Sequence, residues 1–250
     1  DKKTGEKKVR EKKDNTNCHM VILARTYNAM RKLNYILSCA HDTGFYYKPR
    51  IDLKSLFTLN KDEVYITSAC IAGWKYEDAT EIWLKIWQHF GDSFFLEYQT
   101  HNTPEQKALN KKIYEISKTF GIQTIIGLDT HYINEEDRIK RENLLLRKGL
   151  HYEDEDGWYM DFPNGMETYK RMVEQDCLPK EEILYAMMNT HVFIDGCENL
   201  SYDTDFKIPV HPDYQDYSYE ERSKILHKIL TDKFESEDDE HRTEDRREGM

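Results

Sequence analysis

The feature that most constrains the fold is a regular alternation of short apolar strand patterns with amphipathic helix patterns. In the helix patterns an apolar residue recurs every three or four positions, whereas the strand patterns are runs of a few apolar residues. The strand patterns cover residues 19–24, 64–68, 94–98 and 124–128, and the helix patterns cover 78–90, 104–120, 135–147 and 181–195. This β/α alternation predicts a parallel sheet or barrel whose functional side chains lie at the C-terminal ends of the strands.

Metal-ligand side chains follow two of these strand patterns and end one helix pattern. The strand pattern 124–128 runs into Asp129 and His131, with one residue between them. A helix pattern ends at His41, and the strand pattern 64–68 is followed by Cys70. These residue types are ligands for zinc, manganese or iron. An Asp-x-His pair also occurs as an ordinary polar strand end, so the spacing leaves both interpretations open.

Four blocks of sequence carry a family resemblance. They are Ala-His-Asp-Thr-Gly-Phe-Tyr-Tyr-Lys-Pro-Arg-Ile-Asp at 40–52, Ser-Ala-Cys-Ile-Ala-Gly at 68–73, Phe-Leu-Glu-Tyr-Gln-Thr-His at 95–101 and Asp-Thr-His-Tyr at 129–132. In these blocks the chain resembles the PHP (polymerase and histidinol phosphatase) domain of the bacterial DNA polymerase III alpha subunit. The resemblance covers about residues 18–212, in order and without large gaps.

The resemblance implies a fold and a set of site residues. The fold is α/β, a PHP-type distorted (β/α)7 barrel of which this chain supplies the later strands. Carried over position by position, the resemblance makes His41, Cys70, Asp129 and His131 metal-site residues that bind zinc, manganese or iron. The family also uses His-x-His and Thr-Asp-His-Gly motifs and an acidic residue further upstream, and none of these matches the present sequence. We therefore expect an internal piece with less than half of the family's ligands, which is inactive alone.

The implied parent is a replicative DNA polymerase that performs template-directed synthesis with magnesium. In some members of the family the PHP site is also a metal-dependent 3′–5′ exonuclease that proofreads. The implied partners are DNA, the sliding clamp and a proofreading exonuclease subunit. Two alternatives stay open: a non-catalytic scaffold that binds the proofreading subunit, and a stand-alone PHP metallo-phosphoesterase acting on a small phosphate ester.

Three parts are predicted along the chain. Residues 1–17 are expected to form a charged flexible loop, 18–212 the PHP domain, and 213–250 an acidic, helix-prone linker toward the polymerase body. The five cysteines form no Cys-x-x-Cys pair and no disulfide framework, which favours a cytoplasmic protein with reduced thiols. No apolar run approaches the ~20 residues needed to span a bilayer, so no membrane association is expected.

The net charge of −11 argues against a broad basic face for nucleic acid. A local basic groove remains compatible with that charge. Lys48 and Arg50, on either side of Pro49, are predicted phosphate or DNA contacts, and an ordinary surface turn is the equal alternative. The basic cluster at 2–13 is more typical of a solvated loop.

Several site candidates also have plain structural interpretations. Cys70 is compatible with a small buried hydrophobe, the usual fate of free cysteine. His41 is favoured at a helix C-terminus by the helix dipole. Glu97 and His101 lie beside a strand end, where they either orient a ligand imidazole or contribute surface polarity. His19 has no metal-ligand spacing, and we assign it no role from the sequence.

Overall fold

The computed structural model describes residues 18–74, 76–150, 158–198 and 211–236. The chain divides into two compact units, residues 1–200 and residues 201–250. The first 17 residues, for which a flexible loop is predicted, lie outside the described residues.

The first unit contains six strands and seven helices among its described residues. The strands are β1 (Val21–Ala24), β2 (Phe45–Tyr46), β3 (Lys48–Pro49), β4 (Val64–Thr67), β5 (Phe94–Gln99) and β6 (Thr124–Gly127). The helices are α1 (Tyr27–Asp42), α2 (Leu53–Leu56), α3 (Ala79–Phe90), α4 (Pro104–Phe120), α5 (Glu135–Arg147), α6 (Gly165–Glu174) and α7 (Lys180–Asp195). Short 3-10 turns at 61–63, 71–74 and 91–93 connect some of them.

A four-stranded sheet in the order β1-β4-β5-β6 organises this unit, and β2 and β3 form a separate hairpin. β4, β5 and β6 run parallel, as the β/α alternation predicts. This mixed α/β arrangement confirms the predicted fold class and agrees with part of a PHP-type barrel. The expectation of a fully parallel sheet is wrong at one edge, because β1 runs antiparallel to β4 and pairs Val21 with Thr67.

The central strands are buried because helices cover them. Every residue of β4 and β5 is buried. Trp83 of α3 stacks on Phe94 with ring centroids 5.7 Å apart, and Ile113 of α4 is also fully buried. Burying side chains of this size contributes about 1.5–3 kcal/mol each. The apolar stripes of α3 and α4 therefore hold the sheet in place.

The ends of α4 are specified by local sequence. Pro104 occupies the first turn, where its missing N–H is not needed, and Thr103 Oγ1 accepts a hydrogen bond from Gln106 N at 3.2 Å. Gly121, with φ of 74°, ends the helix in the left-handed conformation that glycine adopts without strain. These features set where α4 begins and ends. The buried face of α4 carries polar residues that contact the end of β5.

Helix α7 is joined to the sheet by a buried carboxylate. Glu182 Oε1 accepts hydrogen bonds from Tyr98 Oη at 3.1 Å and from Thr124 Oγ1 at 2.8 Å. Its Oε2 pairs with Lys118 Nζ at 2.6 Å, and this contact raises the pKa of the lysine. Both oxygens are satisfied, so the buried charge is compensated.

In the second unit, the described residues form a 3-10 turn at 212–214 and the helix α8 (Tyr219–Glu235). The N-terminus of α8 is a capping box, in which Ser218 and Glu221 each satisfy a backbone N–H of the other. None of the described helices, in either unit, is long and apolar enough to cross a membrane.

Candidate functional site

A cavity of about 410 Å³ lies where β4, β5 and β6 end and β1 begins. Two of the four predicted metal-site residues, Cys70 and Asp129, line it together. Its remaining lining residues are Cys18, His19, Met20, Val21, Ala69, Glu97, Gln99 and Leu128. The strand C-termini therefore carry the candidate site, where the β/α alternation places it.

Cys70 faces His19 across this cavity. Cys70 Sγ and His19 Nδ1 are 3.6 Å apart. The two residues meet because β1 is antiparallel, which places the start of β1 beside the end of β4. Burial raises the pKa of the Cys70 thiol, and the carboxylates of Asp129 and Glu97 raise it further. Cys70 is therefore a protonated thiol at neutral pH, which is poorly nucleophilic.

Asp129 is contacted by two histidines. Its Oδ2 lies 3.6 Å from His101 Nε2, and its Oδ1 lies 3.8 Å from His131 Nδ1. The contact with His101, followed by the charge of His131, holds the pKa of Asp129 below its usual value, although partial burial opposes this. Asp129 is consequently an ionised carboxylate at neutral pH.

His101 is fully buried, and its hydrogen-bonding state is defined by a backbone contact. Its Nδ1 accepts a hydrogen bond from Tyr159 N at 3.1 Å, and its ring packs on Trp158 with centroids 4.5 Å apart. The neutral ring must then carry its proton on Nε2. Nε2 makes no hydrogen bond among the described residues, and it lies on the side of Asp129. His101 therefore directs an N–H, not a lone pair, toward Asp129.

Glu97 is a buried carboxylate whose two oxygens are both engaged. Oε2 accepts a hydrogen bond from Thr67 Oγ1 at 2.6 Å, and Oε1 accepts one from Gln99 Nε2 at 3.1 Å. Burial raises its pKa. Gly127 of β6 lies directly against this carboxylate, and a Cβ at that position would collide with it. The strand side chains thus fix the position of Glu97.

The end of β5 is held by buried amides. Asn110 Nδ2 donates to Gln99 O at 2.9 Å and to Gln175 Oε1 at 2.8 Å. Gln175 Nε2 donates to Gln99 O at 2.9 Å and to His101 O at 2.7 Å. The backbone from Gln99 to His101 is therefore fixed by side chains from α4 and from the residue that follows α6.

The strap, defined as residues 158–162, holds the loop that follows β6. The N–H groups of His131 and Tyr132 donate to Met160 O at 2.8 and 3.2 Å. Asp161 forms a bidentate pair with Arg171, at 2.6 and 2.8 Å, which holds the pKa of Asp161 below its usual value. The strap fixes the backbone of His131, while 45% of its side chain stays exposed.

The other predicted site residues lie elsewhere on the first unit. His41 is exposed in the last turn of α1, the position that the helix dipole favours for histidine. It is not among the described residues that line the cavity. Its role as a metal-site residue stays a prediction. Lys48 lies on the exposed hairpin β2–β3, and Arg50 follows that hairpin directly.

The donors at the strand ends do not make up a metal centre. Across the described residues, no three His, Cys, Asp or Glu side chains converge closely enough to hold an ion. In addition, His101 directs an N–H into the site, and each Glu97 oxygen already accepts a hydrogen bond from a strand side chain. The residues described here therefore do not fit the complete metal site that the family resemblance implies, and we derive no step through a metal ion.

His19 is the site residue that sequence reasoning missed. Its side chain lines the cavity and contacts Cys70, yet it precedes β1, whereas the β/α pattern predicts ligands after strands. Only the direction of β1 reveals it. For Glu97 and His101 the sequence predicts either that they orient a ligand imidazole or that they contribute surface polarity. In the structure His101 instead contacts the carboxylate of Asp129, and both residues are buried and not part of the surface.

Comparison with known proteins finds a PHP domain and relatives among DNA polymerase III alpha subunits. The PHP domain family matches residues 5–101. The chain is 30% identical over 212 residues to the DNA polymerase III subunit alpha of Borreliella burgdorferi, which covers 79% of this chain and 17% of that protein. It is 33% identical over 149 residues to the corresponding subunit of Aquifex aeolicus, covering 55% of this chain and 13% of the relative. The chain thus spans less than a fifth of the length of these relatives.

Proposed function

The chain contains a PHP domain and is homologous to DNA polymerase III alpha subunits, and from this premise we propose that it is the PHP part of a replicative DNA polymerase. In that role it supports template-directed DNA synthesis and does not itself transfer nucleotides. The observation that carries the proposal is the 30% identity to an alpha subunit across 79% of the chain.

The remaining parts of the proposal rest on the family resemblance of the sequence. Residues 18–212 are the PHP domain, and residues 213–250 are a linker toward the polymerase body. DNA, a sliding clamp and a proofreading exonuclease are the partners, magnesium serves the parent polymerase, and the protein is cytoplasmic. Zinc, manganese or iron belongs to a site in the complete protein to which this chain contributes Cys70, Asp129 and His131, with His41 carried over from the resemblance.

We infer that this chain alone does not hydrolyse phosphoesters. Hydrolysis requires a group that activates water and a group that stabilises the leaving oxygen. Here Glu97 is a hydrogen-bonded carboxylate, and Cys70 is a protonated thiol. Asp129 lies between His101 and His131 and contacts both. We assign neither of the two required roles to these groups. A non-catalytic scaffold is the second candidate function, and the engaged oxygens of Glu97 favour it.

A nuclease assay tests the inactivity of the chain. The purified 250-residue chain is incubated with a 3′-mismatched primer–template and with zinc, manganese or iron salts in turn. We expect no release of the terminal nucleotide above buffer. Release that His131→Ala abolishes, and that His211→Ala at an exposed histidine leaves intact, would overturn this inference.

An immunoprecipitation assay tests the polymerase assignment. Antibodies against the chain are used on extracts of the source cells, and the precipitate is supplied with a primed template and the four deoxynucleotides. We expect primer extension. A precipitate that contains the antigen but lacks extension activity would contradict the assignment, and hydrolysis of small phosphate esters by it would support the stand-alone phosphoesterase instead.

A further inference from the structure

The hairpin β2–β3 presents aromatic rings to solvent. Phe45 is 59% exposed and Tyr47 is 61% exposed, and Tyr46, between them, is also exposed. Tyr46 and Tyr47 contact each other edge to face, with ring centroids 4.8 Å apart. Three neighbouring exposed rings are costly in water unless a partner covers them, and such patches mark interaction sites.

Two cations follow these rings along the chain. Lys48 follows Tyr47 directly and is exposed, and Arg50 comes two residues later. The Arg50 guanidinium lies over the Tyr46 ring, 5.3 Å from its centroid, as in a cation–π contact. Exposed rings beside positive charges are the composition that proteins use to stack bases and to follow the phosphates of a single strand. A protein partner would require the apolar rings but not the adjacent positive charges.

The backbone of the hairpin is built to hold this arrangement. Pairing of Tyr46 with Lys48 leaves Tyr47 alone at the apex, with φ of 59°. A non-glycine residue in this left-handed region is strained, and such strain persists where the surrounding structure imposes it, commonly at binding sites. Gly44 allows the base of the hairpin to close, because a Cβ there would collide with Arg50 O.

A cavity of about 430 Å³ lies beside the hairpin and falls within the size range of small-ligand sites. Arg50, Thr43 and Ser55 line part of it. Asp52 also lines it, and its carboxylate accepts a hydrogen bond from Ser55 N at 2.8 Å. A carboxylate in the wall repels phosphate and accepts from base amino groups, so a base fits here while the phosphates lie outside, near Lys48.

We propose that the hairpin 45–50 and its adjoining cavity form a binding site for single-stranded nucleic acid, with bases stacking on Phe45 and Tyr47 and a phosphate contacting Lys48. The net charge of −11 opposes non-specific attraction to polyanions, so binding must depend on this local group. The site lies apart from the strand-end cavity, and the proposal does not rest on the polymerase assignment.

Fluorescence anisotropy with the full chain tests this proposal. The probe is a labelled single-stranded DNA of roughly 12 nucleotides, within the site sizes of single-strand binders. Tyr47→Gly removes a ring and relieves the strained backbone, so it is expected to leave the fold intact. Phe45→Ala removes the second ring. Phe162→Ala, at another exposed ring of the same unit, is the matched control.

We expect Tyr47→Gly and Phe45→Ala each to weaken binding by about 5- to 100-fold, because one stacked base is lost. We expect Lys48→Gln to reduce the slope of log affinity against log salt by about 0.7, the value for one phosphate contact on a single strand. Lys85→Gln, at an exposed lysine on α3, should leave that slope unchanged. A duplex of the same sequence should bind more weakly, because its bases are already stacked.

Three results would overturn the proposal. They are absence of single-strand binding at about 50 mM salt, equal loss in Phe162→Ala and Tyr47→Gly, and duplex binding as tight as single-strand binding. Circular dichroism of each variant separates loss of binding from loss of fold. Primer extension by the immunoprecipitated protein can succeed or fail independently of these results, so the two proposals are tested separately.

Discussion

The strand-end cavity and the aromatic hairpin hold their candidate functional side chains in opposite ways. At the strand ends, Glu97 and His101 are buried, and contacts from neighbouring elements determine their positions. On the hairpin, Phe45 and Tyr47 are exposed, and the backbone, not packing, determines where they lie. The difference predicts that changes at the strand ends cost stability, whereas changes on the hairpin alter binding with little effect on stability.

The largest loss of stability is expected from Asn110→Ala. The substitution removes one donor each from Gln99 O and Gln175 Oε1, and it leaves the buried Gln106 Nε2, which donates to Asn110 Oδ1 at 3.0 Å, without that acceptor. An unsatisfied buried polar group costs about 1–3 kcal/mol. We expect the free energy of unfolding, measured by urea denaturation, to fall by about 3 kcal/mol. Asn28→Ala, at an exposed amide with only a long contact to Glu63, is the control and should change it little. A loss no larger than that of the control would show that the amide network does not stabilise the site.

Gly127→Ala should destabilise the protein next most strongly. The added methyl group overlaps the Glu97 carboxylate, which its own hydrogen bonds prevent from moving aside. Overpacking of this kind costs about 1–3 kcal/mol, and thermal unfolding would detect it. Gly165→Ala is the matched control, because its new Cβ would meet only Met187 Cε at ordinary contact distance. An unchanged melting temperature in Gly127→Ala would contradict the close packing of β5 against β6.

Asp161→Asn should cost about 1–2 kcal/mol at neutral pH, since it removes a charge-assisted pair with Arg171. The pKa of Asp161 is lowered in the folded state. Its contribution is therefore fully present above the unfolded-state pKa of about 3.9 and is lost as pH falls through the folded-state pKa. The stability curves of wild type and variant should thus converge below about pH 4. A constant difference between them down to about pH 2 would rule out titration of Asp161 as the cause.

The smallest effect on stability is expected from Tyr47→Gly. Glycine adopts a φ of 59° without the cost that tyrosine carries, although it also gives the unfolded chain more freedom. We expect unfolding free energy to stay within about 1 kcal/mol of wild type, or to rise. A loss above about 2 kcal/mol would show that the hairpin rings stabilise the fold, which would remove the contrast between the two regions.

The sequence predicted those parts of the fold that depend on local periodicity. The helices over 104–120 and 135–147 have the bounds that the apolar spacing indicates, and the strand predicted at 124–128 ends one residue earlier. The direction of β1 was not predictable in the same way, because an antiparallel edge strand has the same apolar pattern as a parallel one. Because the direction of β1 was ambiguous, the place of His19 in the cavity could not be predicted.

The position of the candidate site was predictable where residues of metal-ligand type follow strands. Cys70 and Asp129 come after β4 and β6, and they line one cavity. His41 also follows a regular element, but that element is a helix whose end is exposed. Spacing along the chain does not tell which end of a helix faces the sheet. The resemblance supplied His41 by position, and no contact of the described residues tests it.

The antiparallel edge strand has a consequence for how the cavity forms. His19 and Asp129 are separated by more than a hundred residues, so the cavity depends on contacts that are distant along the chain. Loop closure over such distances is slow and comes late in folding. During synthesis, His19 and Cys70 leave the ribosome well before Asp129. The carboxylate of Asp129 therefore joins the thiol of Cys70 only after β6 has entered the sheet.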